Sequence, residues 1–238
     1  MYHPRVLDFA VTVRPLYESL AILTDGRALP PAATLGEASA FLQGFFGAPM
    51  PLLVPVQRHT AIVATFSGEP PPPGQAREMG ICDALITAEP QVAIAVRTAD
   101  CLPVVLAGPG VVAVIHAGWR GLAQGILGKA VRLIAAQYGL TPHSLQAVVG
   151  VGVGPCHYPV GGEVIKALAQ VVGSPQGFAQ DGRVNLAAFA RIALKQAGLP
   201  ATGVELLPGC TSCNPHYHSY RRDGGNAGRQ WTFAFLQR

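Results

Sequence analysis

No hydrophobic run in this sequence is both long and unbroken, charged side chains make up only 13% of residues, and the cysteines offer no pair of C-x-x-C motifs. Each shortage excludes a class of protein. The apolar stretch 102–119, free of Asp, Glu, Lys and Arg, is cut by Pro103 and by Gly108, Pro109 and Gly110. It therefore reads as two strand-length pieces in a buried hairpin, not a membrane span. The N-terminus, with Arg5 and Asp8 among short apolar patches, lacks the continuous segment of a secretory signal. Net charge is only +4, and Arg221-Arg222 is the one adjacent basic pair inside a motif, so nucleic-acid binding is not indicated. Five cysteines, an odd number, suit a reducing compartment and predict a cytoplasmic protein. The single C-x-x-C, Cys210-Thr211-Ser212-Cys213, reads as two unrelated residues in preference to a redox dithiol or half a zinc site. Gly150-Val151-Gly152-Val153-Gly154 has its glycines in the wrong places for a dinucleotide fingerprint, and is expected to allow close backbone approach near a pocket.

What is present is apolar and evenly distributed. With 238 residues and 50% hydrophobic content, the chain can bury a full core as one domain spanning 1–238. Strand patterns fall at 52–66, 84–87, 92–98, 104–107, 111–116, 147–153, 204–207 and 230–236. Helical patterns fall after His116, where Leu122, Ile126, Ala130, Ile134 and Tyr138 share one face, and at 162–172 and 185–197. This content excludes all-α and all-β folds.

Chemistry concentrates at two strand ends. Thr98-Ala99-Asp100-Cys101-Leu102-Pro103 follows one apolar run, and His116-Ala117-Gly118-Trp119-Arg120-Gly121 follows another. Strand ends hold a side chain rigidly while exposing it to a loop, which is where ligands usually bind. Cys101 and His116 suit a metal pair or a thiol with its general base, although a cysteine at a buried strand end is often only a small core residue. A third candidate, His59, interrupts the apolar stretch 52–66. Together His59, Cys101 and His116 match a catalytic zinc set of three protein ligands with one position open.

Five segments then carry a resemblance. These are Gln57-x-His59, Thr98-Ala99-Asp100-Cys101-x-Pro103, His116-Ala117-Gly118-Trp119-Arg120-Gly121, Gly154-Pro155-Cys156, and the run from Ser219 through Arg221, Arg222 and Asp223 to Arg229. In this order they resemble the laccase-domain or polyphenol-oxidase-like proteins of the YfiH type, from about His59 to the C-terminus, with little likeness in the first fifty residues. The resemblance implies an α+β fold of mixed sheets layered with helices, akin to a toxin deamidase with a Cys-His pair. It also implies one zinc on His59, Cys101 and His116. The implied reactions are phosphorolysis of purine nucleosides (adenosine, inosine, guanosine, methylthioadenosine) and deamination of adenosine, and a peptidoglycan-editing role is attributed to relatives.

Phosphorolysis needs cationic donors for phosphate, and Arg120, Arg221 and Arg222 are the candidates, with Gln57 as a further substrate contact. Arg222 and Asp223 could instead form a turn ion pair. The chain lacks the H-x-E pairing of the familiar zinc deaminases, so Asp100 is the nearest candidate proton shuttle; it could equally orient a ligand or cap a turn. Two rival readings stand beside this one. Copper accepts the same ligands, but a multicopper oxidase needs several H-x-H pairs and this chain has only His216-Tyr217-His218, which marks a local metal site or a polar rim. A metal-free hydrolase or amidase acting on a cell-wall precursor would use Cys101 as nucleophile and His116 as base.

Overall fold

The apolar stretch at residues 52–66 divides into two strands, and they belong to different sheets. The computed structural model describes residues 11–17 and 19–237; Arg5 and Asp8 lie outside them. In chain order the elements are β1 (Val11–Leu16), β2 (Ser19–Thr24), α1 (Leu35–Phe46), β3 (Leu52–Val56), β4 (Val63–Phe66), β5 (Ala76–Ile81), β6 (Ala84–Thr87) and β7 (Ala93–Thr98). There follow β8 (Leu102–Gly108), β9 (Val111–Ala117), α2 (Trp119–Ala123), α3 (Ile126–Tyr138), β10 (Gln146–Val149), α4 (Gly162–Val172) and β11 (Ala179–Gln180). The last are β12 (Arg183–Val184), α5 (Leu186–Gln196), β13 (Val204–Leu206), α6 (Tyr220–Asp223) and β14 (Gln230–Leu236).

One six-stranded sheet has the order β1-β2-β14-β7-β3-β5 and the other β13-β10-β8-β9-β6-β4; both mix parallel and antiparallel pairs. The first sheet packs on the second through Leu53, Ile94, Val96 and Ala234 from one and Leu85, Val105, Val112 and Val114 from the other. The outer face of the second sheet, with Val104, Leu106, Ala113 and Ile115, is covered by α3 and α5 through Ile126, Ala130, Ile134 and Phe189. The outer face of the first, with Leu52, Val54, Phe233 and Phe235, is covered by α1 through Ala38 and Leu42. Four layers result: helix, sheet, sheet, helices. Central strands are buried on both faces, which is why β8 and β9 read as continuous apolar runs without alternation. Each fully buried Leu, Ile or Phe contributes on the order of 1.5–3 kcal/mol.

Several expected elements change at their ends. The stretch 147–153 is a strand only over β10, and the 104–107 and 111–116 runs lengthen into the β8–β9 hairpin. The helix after His116 is broken at Gly125, whose φ of 74° lies in the left-handed region, so α2 and α3 share the predicted apolar face across a turn. Among the described residues no helix is long and apolar enough to cross a membrane.

Candidate active site

Both loops that carry the predicted ligands are crossings between the two sheets. His59 lies in the loop from β3 to β4, and Cys101 lies in the turn from β7 to β8. His116 sits on β9, next to Ala117, which pairs with Leu102 at the start of β8. That register sets Cys101 opposite Gly118, and a side chain at 118 would place its Cβ 2.9 Å from Cys101 Sγ and 3.0 Å from His59 Cδ2. Only glycine leaves room there for the thiol and the imidazole to meet. Cys101 Sγ stands 3.8 Å from His59 Nε2, and the two imidazole rings are 4.8 Å apart at 74°. The ligand atoms of His59, Cys101 and His116 all lie within 4.8 Å of one another.

The residue that organises this group is one the sequence reading missed, Asp83. It is fully buried just before β6. Its Oδ1 lies 2.7 Å from His116 Nδ1, while its carboxylate accepts backbone N–H bonds from Arg58 (3.2 Å), His59 (3.0 Å) and Thr60 (2.6 Å) and a hydroxyl bond from Thr60 (2.7 Å). One carboxylate thus fixes the tautomer of His116 and holds the backbone at His59, whose φ is 58°. Burial works against ionisation of Asp83, but the bonds from His116 and Thr60 hold it well below the ordinary carboxylate range. With Nδ1 engaged, His116 presents Nε2 to the site. The signal in the sequence was a lone acidic residue between apolar strand residues, at Cys82-Asp83-Ala84.

Electrostatics are tightly coupled among these side chains. Burial would raise the Cys101 thiol, yet hydrogen bonds with His116 and His59 bring it down to about 6. Burial would lower His116, yet its bonds to Asp83 and Cys101 lift it to about 9. Two imidazoles and an easily ionised thiol, with an anchoring carboxylate behind one imidazole, fit a borderline divalent ion, and the carboxylate–histidine contact is the usual support of such ligands.

These groups form the floor of a cavity of ≈ 960 Å³, large enough for a nucleoside. Four arginines line it: Arg120 and Arg221, which were expected, and Arg97 and Arg229, which were not. Arg120 lies over the Trp119 ring at 4.6 Å and Arg221 over Tyr158 at 5.4 Å. Gln57 lines the cavity, but both ends of its amide are bonded to the backbone of Arg97 (2.7 and 2.8 Å). Arg222 is not brought to the cavity. Its guanidinium is held by Asp223 and by the carbonyls of Thr211, Asn214 and Tyr217, so the expected phosphate contact gives way to a loop anchor. Asp100, on the cavity wall with φ 82°, accepts from Thr211 Oγ1 and Arg221 N, both at 2.5 Å; it ties the Cys101 turn to the 211–221 segment, and His116 is oriented by Asp83 instead. The close approach expected of the glycine run is found at Gly152, where a Cβ would lie 2.7 Å from Asp100 O. Among the described residues His216 and His218 belong to no metal-capable group; the His218 ring packs against Gly26 and Gly228.

The family described as multi-copper polyphenol oxidoreductase laccase matches residues 32–237, a span that begins earlier than the motifs suggested. The chain is 34% identical over 164 residues to the purine nucleoside phosphorylase YlmD of Geobacillus stearothermophilus, covering 63% of this chain and 58% of that protein. It is 35% identical over 187 residues to the purine nucleoside phosphorylase YfiH of Escherichia coli K12, covering 76% and 72%. It is also 36% identical over 161 residues to adenosine deaminase RL5 from an unknown prokaryotic organism, covering 63% and 60%. The crystal structure of YlmD superimposes with a TM-score of 0.83 at 25% identity, over 97% of this chain and 99% of that one. With its match across residues 32–237 and a shared fold, the chain belongs to the laccase-like YfiH family.

Proposed function

We propose that the protein is a zinc-dependent purine nucleoside phosphorylase with adenosine deaminase activity. The observation that carries this reading is one cavity whose floor is the His59–Cys101–His116 group and whose wall bears four arginines. Names of relatives as phosphorylases and as a deaminase support it.

In this reading His59, Cys101 and His116 hold the ion, which when bound supplies Lewis acidity at the cavity floor. Arg120 and Arg221 bind phosphate through paired guanidinium bonds, and Arg97 and Arg229 add to the positive field. The ring of Tyr220, 61% exposed on the cavity wall, offers a face for purine stacking. Phosphate oxygen bonds to the anomeric carbon as the bond to the purine nitrogen breaks, and the proton that hydrogen phosphate gives up ends on the purine. Asp100 acts as a positioning residue, since both its oxygens are bonded within the protein. Zinc is favoured over copper because the described residues lack the histidine-rich clusters of a multicopper oxidase.

Incubation with adenosine and phosphate tests the reading. Adenine and ribose 1-phosphate, with some inosine, are expected; absence of all three above a Cys101→Ala control overturns it. Full turnover in a metal-free preparation overturns the zinc requirement, and a metal-free preparation inactive on nucleosides with Cys101 still reactive supports the Cys-His hydrolase instead.

A further inference from the structure

The two cysteines of the C-x-x-C, read from sequence as unrelated, meet two further metal-ligating residues on the neighbouring loop. β10 and β13 are parallel neighbours, so the segments that follow them leave the sheet at the same end. Leu207 N bonds to Val149 O (2.9 Å), Thr211 N to Gly152 O (3.0 Å) and Gly154 N to Cys210 Sγ (3.1 Å), zipping the segments together. This brings Cys156 and His157 against Cys210 and Cys213. His157 Nδ1 is 3.4 Å from Cys156 Sγ, 3.3 Å from Cys213 Sγ and 3.9 Å from Cys210 Sγ, and the Cys156 and Cys213 sulfurs are 3.4 Å apart. All four donor atoms lie within 4.8 Å of one another.

We propose that Cys156, His157, Cys210 and Cys213 form a second metal site, which binds a zinc ion as a structural clamp between the two loops. Tetrahedral zinc, with bonds of about 2.3 Å to sulfur and about 2.0 Å to nitrogen, sets sulfur–sulfur edges of about 3.8 Å and sulfur–nitrogen edges of about 3.5 Å. The three sulfur–nitrogen separations, 3.3 to 3.9 Å, bracket the second value, while the Cys156–Cys213 pair at 3.4 Å lies somewhat inside the first and would open slightly around an ion. Three thiolates and one imidazole complete a four-coordinate shell with no position open for substrate, which distinguishes this group from His59–Cys101–His116 and marks it as structural. A disulfide would need the Cys156 and Cys213 sulfurs to close to about 2.05 Å and would leave the convergence of His157 and Cys210 on them unexplained. Binding releases the thiol protons to solvent and consumes no oxidant. The site has a clear mechanical task. The Cys156 loop leads directly into Tyr158 on the cavity wall, and the 210–213 turn carries Thr211, whose hydroxyl holds Asp100.

The test counts metal on full-length protein purified without chelators. About two zinc ions per chain are expected for the unaltered protein, about one for Cys156→Ser/Cys213→Ser, and about one for His59→Ala. Cobalt exchanged into His59→Ala should show intense thiolate-to-metal charge-transfer bands that vanish in the further Cys156→Ser/Cys213→Ser variant. If the serine variant fails to fold, the unaltered protein still decides: Cys156 and Cys213, both exposed, should resist iodoacetamide until a chelator is added. A single zinc that disappears with His59→Ala overturns the proposal, as does an intact-mass shift showing a Cys156–Cys213 disulfide in anaerobically purified protein. Neither result depends on the nucleoside reaction.

Discussion

Asp83 and His116 are joined by a 2.7 Å contact in which a fully buried carboxylate fixes the ring that faces the cavity. Because the same carboxylate gathers the backbone N–H groups of Arg58, His59 and Thr60, it governs two ligands at once. Asp83→Asn should lower metal affinity by about 10- to 100-fold, as loss of a ligand-supporting carboxylate does elsewhere. Asp83→Ala should also destabilise the fold by about 3 kcal/mol, since it strands several buried donors. Metal content against free-ion concentration, with a denaturant midpoint for each variant, checks both.

In metal-free protein, alkylation of Cys101 followed by peptide mass spectrometry should titrate with a midpoint near the value of about 6 to which His116 and His59 bring it, not the ordinary 9.0. Asp83→Asn should shift that midpoint upward, because His116 then no longer keeps its charge up to about 9. The two shifts act oppositely on stability. The raised His116 contributes below 6.5 and its contribution is lost as pH rises through about 9, whereas the lowered Cys101 contributes above 9.0 and loses its contribution as pH falls through about 6. Their slopes cancel between these limits, so stability without the ion should be nearly flat there and should fall in acid from about 4 downward, as the unfolded chain takes up the proton that folded Asp83 resists. Melting temperature against pH measures this.

Gly118→Ala is compatible with the local backbone, at φ −76° and ψ 163°, so its effect is steric. The new methyl collides with Cys101 Sγ and His59. Metal content and turnover should fall at least about tenfold, with a stability change of about 1–3 kcal/mol. Retention of full metal content would show that the thiol and imidazole need not converge.

Arginines that look alike in the sequence should separate by experiment. Arg120→Ala and Arg221→Ala should each raise the KM for phosphate by about 10-fold or more, the value of a hydrogen bond to a charged group, and leave metal content unchanged. Arg222→Ala should leave that KM within about twofold and lower the melting temperature, since its guanidinium bonds three carbonyls and Asp223. Steady-state kinetics at varied phosphate, beside thermal melts, distinguishes the two behaviours.

Much of the fold could be read from periodicity, because β6, β14 and α4 end where their apolar patterns end. Strand 52–66 misled because apolar composition continues across Ala61 and Ile62 while the backbone turns at His59 to change sheets. Helix α1 went unread although Thr34 and Glu37 form a capping box and Gly47 closes it at φ 73°. His59, Cys101 and His116 were legible because polar residues at strand ends stand out against apolar runs. Asp83 and the Cys156–His157 partnership were not, since the first is a single acid inside a strand context and the second exists only through the parallel pairing of β10 and β13.

Because His59 and Cys101 each occupy a chain crossing between the stacked sheets, an ion at that seam would fasten one layer to the other like a rivet. Slippage of the sheets, which ordinary side-chain packing resists only gradually, would then require breaking coordination bonds. Heat tolerance should therefore climb with the logarithm of free metal concentration, and the backbone amides of β3 and β7, the strands that lead into those crossings, should become the slowest to exchange with deuterium.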